Sequence, residues 1–160
     1  METKLWEDRV AQLWDDASVA DEIRIERMLE LAAHAPIAAL GEFEVGGAYD
    51  SAGRELEADL HYRAAWAGRL GEHDPARAAQ LAIQHASTLR NLGRIDEAIE
   101  ILQSAPVHPS TGSARAVFLA LALHSAGRSA EALRVVIEEI EPGLSLYRRS
   151  VRAYAAELTD

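Results

Sequence analysis

Apolar residues recur along most of the chain at the three- and four-residue spacing of a helix face, and β-branched runs with the strict alternation of a strand are missing. Two apolar stripes precede residue 36 and one follows residue 144. They consist of Leu5, Trp6, Val10, Leu13, Trp14 and Ala17, of Val19, Ile23, Met28, Leu29, Leu31 and Ala32, and of Leu146, Tyr147, Val151, Tyr154 and Leu158. The pattern predicts an all-helical protein with two N-terminal helices and one helix at the C-terminal end.

One short motif occurs three times between helical stretches. Residues 53–58, 93–98 and 127–132 share the pattern Gly-Arg-x-x-Glu-Ala, at spacings of 40 and then 34 residues. Glycine can adopt the left-handed conformation that ends a helix, and the glutamate then falls in the first turn of the next helix, at the positive end of its dipole. The arginine lies three residues before the glutamate and can pair with it. Each motif therefore predicts a tight turn between two antiparallel helices.

Small residues also recur at a fixed distance before each turn. Twelve residues before the final alanine of each motif stand Gly46, Ala86 and Ala120. Small residues at an interface allow two helices to approach closely. The sequence thus predicts three closely packed helical hairpins.

This 34-residue period, with small and apolar residues at these offsets, resembles the tetratricopeptide repeat. The matching residues are Val45, Gly46, Tyr49, Ala58 and Tyr62 in the first copy, Ala86, Leu89, Ala98 and Leu102 in the second, and Leu119, Ala120, Leu123, Ala132 and Val136 in the third. Glu42 stands where the family has tryptophan, and His85 takes a leucine position. Within that superfamily the chain most resembles a divergent bacterial group that carries the segment Leu-Arg-Asn-Leu-Gly-Arg, which is present here at residues 89–94.

The resemblance implies a right-handed α-solenoid of antiparallel hairpins within a single domain. We expect N-terminal helices over residues 1–35, repeats over 37–71, 74–106 and 110–142, and a capping helix over 144–158. Pro36 is expected to open the first repeat, Asp74 and Pro75 the second, and residues 110–113 the third. The end helices are expected to cover the last apolar faces of the array.

The resemblance also implies a function without catalysis, in which the first helix of each hairpin lines a concave groove for a peptide or partner protein. In this register the groove residues are Phe43, Gly47, Asp50, Ser51, Gln80, Ile83, Gln84, Ser87, Arg90, Asn91, Val117, Phe118, Leu121 and His124. Among them only Arg90 could bind a carboxylate as a permanent cation, so an acidic tail is not the expected ligand. No enzyme activity and no cofactor are expected.

The stripe of Trp6, Val10 and Trp14 supports two interpretations. Tryptophan at a surface stripe is often an interface anchor, which would make the protein a homo-oligomeric structural or regulatory module, for example a homodimer. The same residues can instead fill the core of a small helical end cap. The sequence leaves both open.

Charge narrows the range of partners. The chain has 16 basic and 26 acidic residues, a formal net charge of −10. Residues 1–60 hold fifteen acids and five bases, which accounts for the whole excess. Such a charge repels nucleic acid and anionic membrane surfaces, and a partner that engages the N-terminal end is expected to be basic. The start of the chain lacks an export signal, so the expected location is the cytoplasm.

Candidate chemistry is sparse. The absence of cysteine excludes thiol catalysis, disulfides and cysteine-based zinc sites. The six histidines include no pair three or four residues apart, so no metal site is expected. Gly-x-Ser-x-Gly and phosphate-loop motifs are missing as well.

Overall fold

The computed structural model describes residues 2–159 and, over that range, consists of helices and connecting turns. The helices are α1 (Thr3–Asp15), α2 (Asp21–Ala32), α3 (Ala38–Ser51), α4 (Glu55–Ala67), α5 (Leu70–His73), α6 (Pro75–Asn91), α7 (Ile95–Ser104), α8 (Ala114–Ser125), α9 (Ser129–Ile140) and α10 (Arg148–Glu157). Two short 3₁₀ turns lie at Pro109–Thr111 and Glu141–Gly143. The fold is all-helical, and its successive helix hairpins pack side by side as in a repeat solenoid.

The three glycine turns close the hairpins α3–α4, α6–α7 and α8–α9 in the same way. Gly53, Gly93 and Gly127 have φ values of 70°, 77° and 77°, a region that favours glycine over residues with a side chain. The amide of the following arginine donates to a carbonyl five residues back, as in Arg54 N to Tyr49 O at 2.9 Å. The arginine side chain then binds the motif glutamate in each copy. The motif prediction is confirmed.

Close helix approach is clearest in the first hairpin. A methyl group built on Gly46 would lie 2.5 Å from Cδ1 of Tyr62, so only glycine lets the tyrosine ring lie flat against α3. The corresponding alanines of the other hairpins, Ala86 and Ala120, are also buried. The small residues therefore mark the inner helix faces, as the spacing predicted.

The beginnings of the helices differ in how they are capped. Asp74 accepts from the amide of Arg77 at 2.9 Å and Pro75 is the first residue of α6, as expected. Pro36 lies two residues before α3, whose N-cap position is Ile37. Ser113 precedes α8 without donating or accepting a side-chain capping bond. Only α6 therefore begins with the side-chain cap that the sequence predicted.

The N-terminal helices form a further hairpin that packs against α3. Trp6 is fully buried, its indole N–H donates to Leu31 O at 2.8 Å, and Val10 is 3% exposed. These two side chains fill the core of their own chain, whereas Trp14 is partly exposed. Of the three residues considered for an oligomer interface, only Trp14 therefore reaches the surface.

Two apolar cores run along the solenoid. The N-terminal core joins α1 to α4 with Leu70 and Leu81, and it contains the rings of Trp6, Phe43 and Tyr62. The C-terminal core joins α6 to α9 and consists of aliphatic side chains and alanines. Across residues 2–159, none of the helices has the length and apolar character needed to cross a membrane.

Candidate functional site

An open cleft of about 680 Å³ lies between α1, α3 and α6. Its walls are Glu7, Val10, Ala11 and Trp14 from α1, Phe43, Glu44, Gly47, Asp50 and Ser51 from α3, and Ala76, Arg77, Gln80 and Gln84 from α6, with Tyr62 and Asp74 completing the lining. Aromatic and aliphatic side chains thus alternate with carboxylates and amides. The size and the mixed lining are those of a ligand-binding cleft.

The predicted groove residues separate into two groups. Phe43, Gly47, Asp50, Ser51, Gln80 and Gln84 line the cleft. Ile83, Ser87, Arg90, Asn91, Val117, Phe118, Leu121 and His124 lie outside it. The structure therefore brings together the predicted residues of α3 with Gln80 and Gln84 of α6, and separates them from those of α8. A binding role for either group stays a prediction.

The residues outside the cleft have varied surroundings. Ile83 is buried in the C-terminal core, and Arg90 donates from Nε to Ser125 Oγ at 2.8 Å. Nδ1 of His124 lies 3.1 Å from Ser129 Oγ. Val117 and Leu121 are exposed along α8. This part of the predicted groove is an open apolar strip with polar side chains at one end.

Arg77 contributes the single basic side chain of the cleft lining, and carboxylates surround it. Its Nη1 lies 2.8 Å from Asp74 Oδ2 and 3.2 Å from Glu7 Oε1, while its Nε lies 3.4 Å from Glu44 Oε1. The contact with Glu7 ties α1 to α6. Because three carboxylates already share its charge, Arg77 is poorly placed to bind an acidic ligand.

Glu44 is a carboxylate in an otherwise apolar part of α3. Its side chain is 9% exposed, and its Oε2 accepts from the indole N–H of Trp14 at 2.8 Å. Burial raises the pKa of Glu44, and its bonds to Trp14 and Arg77 oppose that effect. A methyl group on Gly47 would lie 3.3 Å from Cζ2 of Trp14, so the glycine leaves room for the indole.

Asp50 lies three residues, about one turn, beyond Gly47 on α3. Its Oδ1 accepts from the hydroxyl of Thr88 at 2.7 Å, which fixes the carboxylate against α6. Burial raises the pKa of Asp50. Nearby, the hydroxyl of Tyr62 donates to Gln84 Oε1 at 3.1 Å. The inner end of the cleft is therefore an ordered polar surface that carries one carboxylate.

The lining of the cleft is mainly acidic. Its lining holds four carboxylates, on Glu7, Glu44, Asp50 and Asp74, against the one guanidinium of Arg77. Its serine, Ser51, donates to Ala48 O at 3.1 Å and has no histidine beside it within the lining. Within residues 2–159, no three histidine or acidic side chains are placed to hold a metal ion.

A second polar network lies outside the cleft, where α4 meets α6 and α7. The indole N–H of Trp66 donates to Nδ1 of His85 at 3.1 Å, so Nε2 of His85 carries the proton that it donates to Asp59 Oδ1 at 2.7 Å. Asp59 Oδ2 accepts from Arg94 Nη1 at 2.7 Å. These bonds explain how histidine occupies a position where the family has leucine.

Sequence reasoning missed several of the cleft residues. Glu7, Glu44, Tyr62 and Arg77 were not among the predicted groove residues, and Asp74 was predicted only as a helix cap. One signal was available, because a glutamate on an apolar helix face needs a partner. The partners themselves come from distant segments, 30 and 33 residues away for Glu44.

Comparison with known proteins gives one positive result. A family model described as tetratrico peptide repeat matches residues 39–158 of the chain. A comparison with curated proteins found no significant match. The matched stretch begins within α3, so α1 and α2, and with them one wall of the cleft, lie outside it.

Proposed function

The chain belongs to the tetratrico peptide repeat family, and from that premise we propose that it is a non-enzymatic interaction scaffold that holds a peptide or partner protein in its concave cleft. The family suggests protein interaction. The single observation that supports the cleft as the binding surface is the convergence of α1, α3 and α6 around one open space of about 680 Å³.

The lining provides the two kinds of contact that an extended peptide needs. The partly exposed indole of Trp14 offers apolar surface for a side chain, and the nearly buried Val10 and Phe43 lie behind it. Gln80 and Gln84 present amides, which can donate to and accept from a peptide backbone. Binding of this kind combines apolar anchors with hydrogen bonds that set the register of the segment.

A cleft-blocking variant tests the proposal. Gln80→Trp places a bulky side chain in the cleft. Gln103→Trp makes the same change at an exposed position of α7, outside the cleft. Peptides are selected on the wild-type chain from a displayed library of random 12-residue sequences, and their affinities are measured by fluorescence polarisation. We expect about tenfold weaker binding to Gln80→Trp, equivalent to roughly 1.4 kcal/mol, and unchanged binding to Gln103→Trp.

Two outcomes would contradict the proposal. One is a selection that enriches no peptide, and the other is equal binding to both variants. Far-UV circular dichroism of each variant checks that its helices are intact.

The alternative is a homo-oligomeric module with α1 at its interface. This interface would depend on Trp14, since Trp6 and Val10 are enclosed within the chain. Light scattering of the wild-type chain tests it, and a monomer would count against it. A bacterial, cytoplasmic setting and a basic partner at the N-terminal end stay predictions from the sequence.

A further inference from the structure

The carboxylates of the cleft differ in whether a cation already contacts them. Glu7, Glu44 and Asp74 each lie within 3.4 Å of a nitrogen of Arg77. Asp50 has the hydroxyl of Thr88 as its closest hydrogen-bond partner instead. Within residues 2–159, no arginine or lysine forms an ion pair with Asp50. Asp50 is therefore the carboxylate of the cleft that retains its capacity to bind a cation.

The surroundings of Asp50 suit a long cationic side chain better than a free ion. The carboxylate lies one turn beyond Gly47, against which the indole of Trp14 rests. Arginine and lysine extend an apolar stem along such surfaces while their charged ends form charge-assisted hydrogen bonds. A partly buried carboxylate also attracts a cation more strongly than one in bulk water, because the local dielectric constant is lower.

The net charge of the surrounding helices also favours a cationic ligand. Residues 1–60, which supply α1 and α3, carry fifteen acids and five bases. Such a field raises the local concentration of cationic segments and repels acidic ones. Helix α1, which lies outside the family match, adds Glu7 and Trp14 to the cleft.

We infer that the segment bound in the cleft presents an arginine or lysine side chain to the carboxylate of Asp50. This inference rests on the proposed function and adds the chemical class of its ligand. The indole of Trp14 packs against the stem of the cationic side chain, and Gln80 and Gln84 bind the adjoining peptide backbone.

A positional-scanning library of acetylated hexapeptide amides tests the inference. Each sublibrary fixes one residue type at one position, and binding to the wild-type chain is measured by fluorescence polarisation. We expect sublibraries with fixed arginine or lysine to bind best at one position. The best sequence is then synthesised with arginine and with citrulline, which has the same shape without the charge.

The variant Asp50→Asn removes the charge and keeps an oxygen that can accept from Thr88. We expect the arginine peptide to bind the wild-type chain about tenfold more tightly than the citrulline peptide, the range of a hydrogen bond to a charged group. Asp50→Asn should bind both peptides equally. The control Asp96→Asn, an exposed change at the start of α7, should keep the tenfold preference.

The outcomes separate this inference from the function on which it rests. Peptide binding without a cationic preference, or with a preference that survives Asp50→Asn, would overturn the inference and leave the scaffold in place. Failure of every sublibrary to bind would overturn both.

Discussion

The two halves of the solenoid use the same hairpin but bury it to different depths. In α3, eight of fourteen residues are buried, whereas in α9 only Ala132 is. The N-terminal core encloses three aromatic rings, and the C-terminal core is aliphatic. Helix α3 has packed helices on both sides, while α9 is followed only by the short α10. Burial in a solenoid thus depends on the neighbours of a hairpin as much as on its own sequence.

The halves also differ in how polar groups join neighbouring hairpins. Between α4 and the α6–α7 hairpin, Asp59 binds His85 and Arg94. Between α7 and α8 the contacts are largely aliphatic, and Arg115 Nη1 donates to a backbone carbonyl, Leu102 O, at 2.9 Å. Identical turns therefore lie next to junctions of different chemistry.

The largest expected effect comes from overpacking the deeper half. Gly46→Leu would force a side chain into the ring of Tyr62, and we expect a loss of about 3 kcal/mol or more in the free energy of unfolding, at the upper end of overpacking costs. Urea unfolding followed by circular dichroism measures it. Gly143→Leu is the control from the shallower half, because no atom lies within 4 Å of a methyl group built there. Equal stability of the two variants would refute the difference in packing.

An intermediate effect distinguishes two copies of the same turn. Arg94 and Arg128 both bind their motif glutamate, but Arg94 also binds Asp59, whose side chain is 11% exposed. We expect Arg94→Ala to cost about 1–3 kcal/mol, because it removes a bond to a largely buried charge. Arg128→Ala should cost much less, as for exposed ion pairs. Thermal or urea unfolding of both variants compares them, and equal losses would show that the junction network contributes nothing.

The smallest effect is a difference in pH dependence between two acidic residues. Burial raises the pKa of Asp50, so the stability that its protonated form contributes is present below its unfolded pKa of about 4 and is lost as pH rises through the folded pKa. Hydrogen bonding to Arg152, the largest cause, lowers the pKa of Glu141, so its contribution is present above its unfolded pKa and is lost as pH falls through the folded one.

Replacing each of these two acids by its neutral amide should therefore change the free energy of unfolding with pH in opposite directions. Relative to the wild-type chain, Asp50→Asn should gain stability between about pH 4 and pH 7, by less than about 1 kcal/mol. Relative to the wild-type chain, Glu141→Gln should lose stability as pH rises toward 4.5, the unfolded pKa of Glu141, and should keep a constant deficit above it. Urea unfolding at several pH values measures both, and slopes of the same sign would contradict the assignment of these two environments.

Local signals predicted much of this fold. The glycine turns, the arginine–glutamate pairs and the cap at Asp74 each involve residues a few positions apart, so their geometry follows from short motifs. The network of Glu44 with Trp14 and Arg77 could not be predicted in this way, because helix periodicity does not specify which distant side chains meet. The same limit applies to the contact between Glu7 and Arg77, which are 70 residues apart.

The lining of the cleft was likewise predictable from the sequence only in part. A uniform repeat register placed groove residues on α3, α6 and α8 alike, and the cleft includes those of α3 together with Gln80 and Gln84 of α6. The reason is α1, whose residues close one side of the cleft. Its stripe of Trp6 and Val10 indicated burial, but the sequence did not show that Trp14 would line the cleft.

The network at Asp59 also constrains how such an array can grow. Its members Asp59, His85 and Arg94 come from two consecutive hairpins, so a copy of the α8–α9 hairpin inserted between them would separate the aspartate from both partners. The junction between the second and third hairpins imposes a weaker demand, because its bond from Arg115 ends on a carbonyl that any residue supplies and its bond from Arg90 to Ser125 Oγ is exposed. We therefore expect an inserted hairpin to cost less stability at the second junction than at the first.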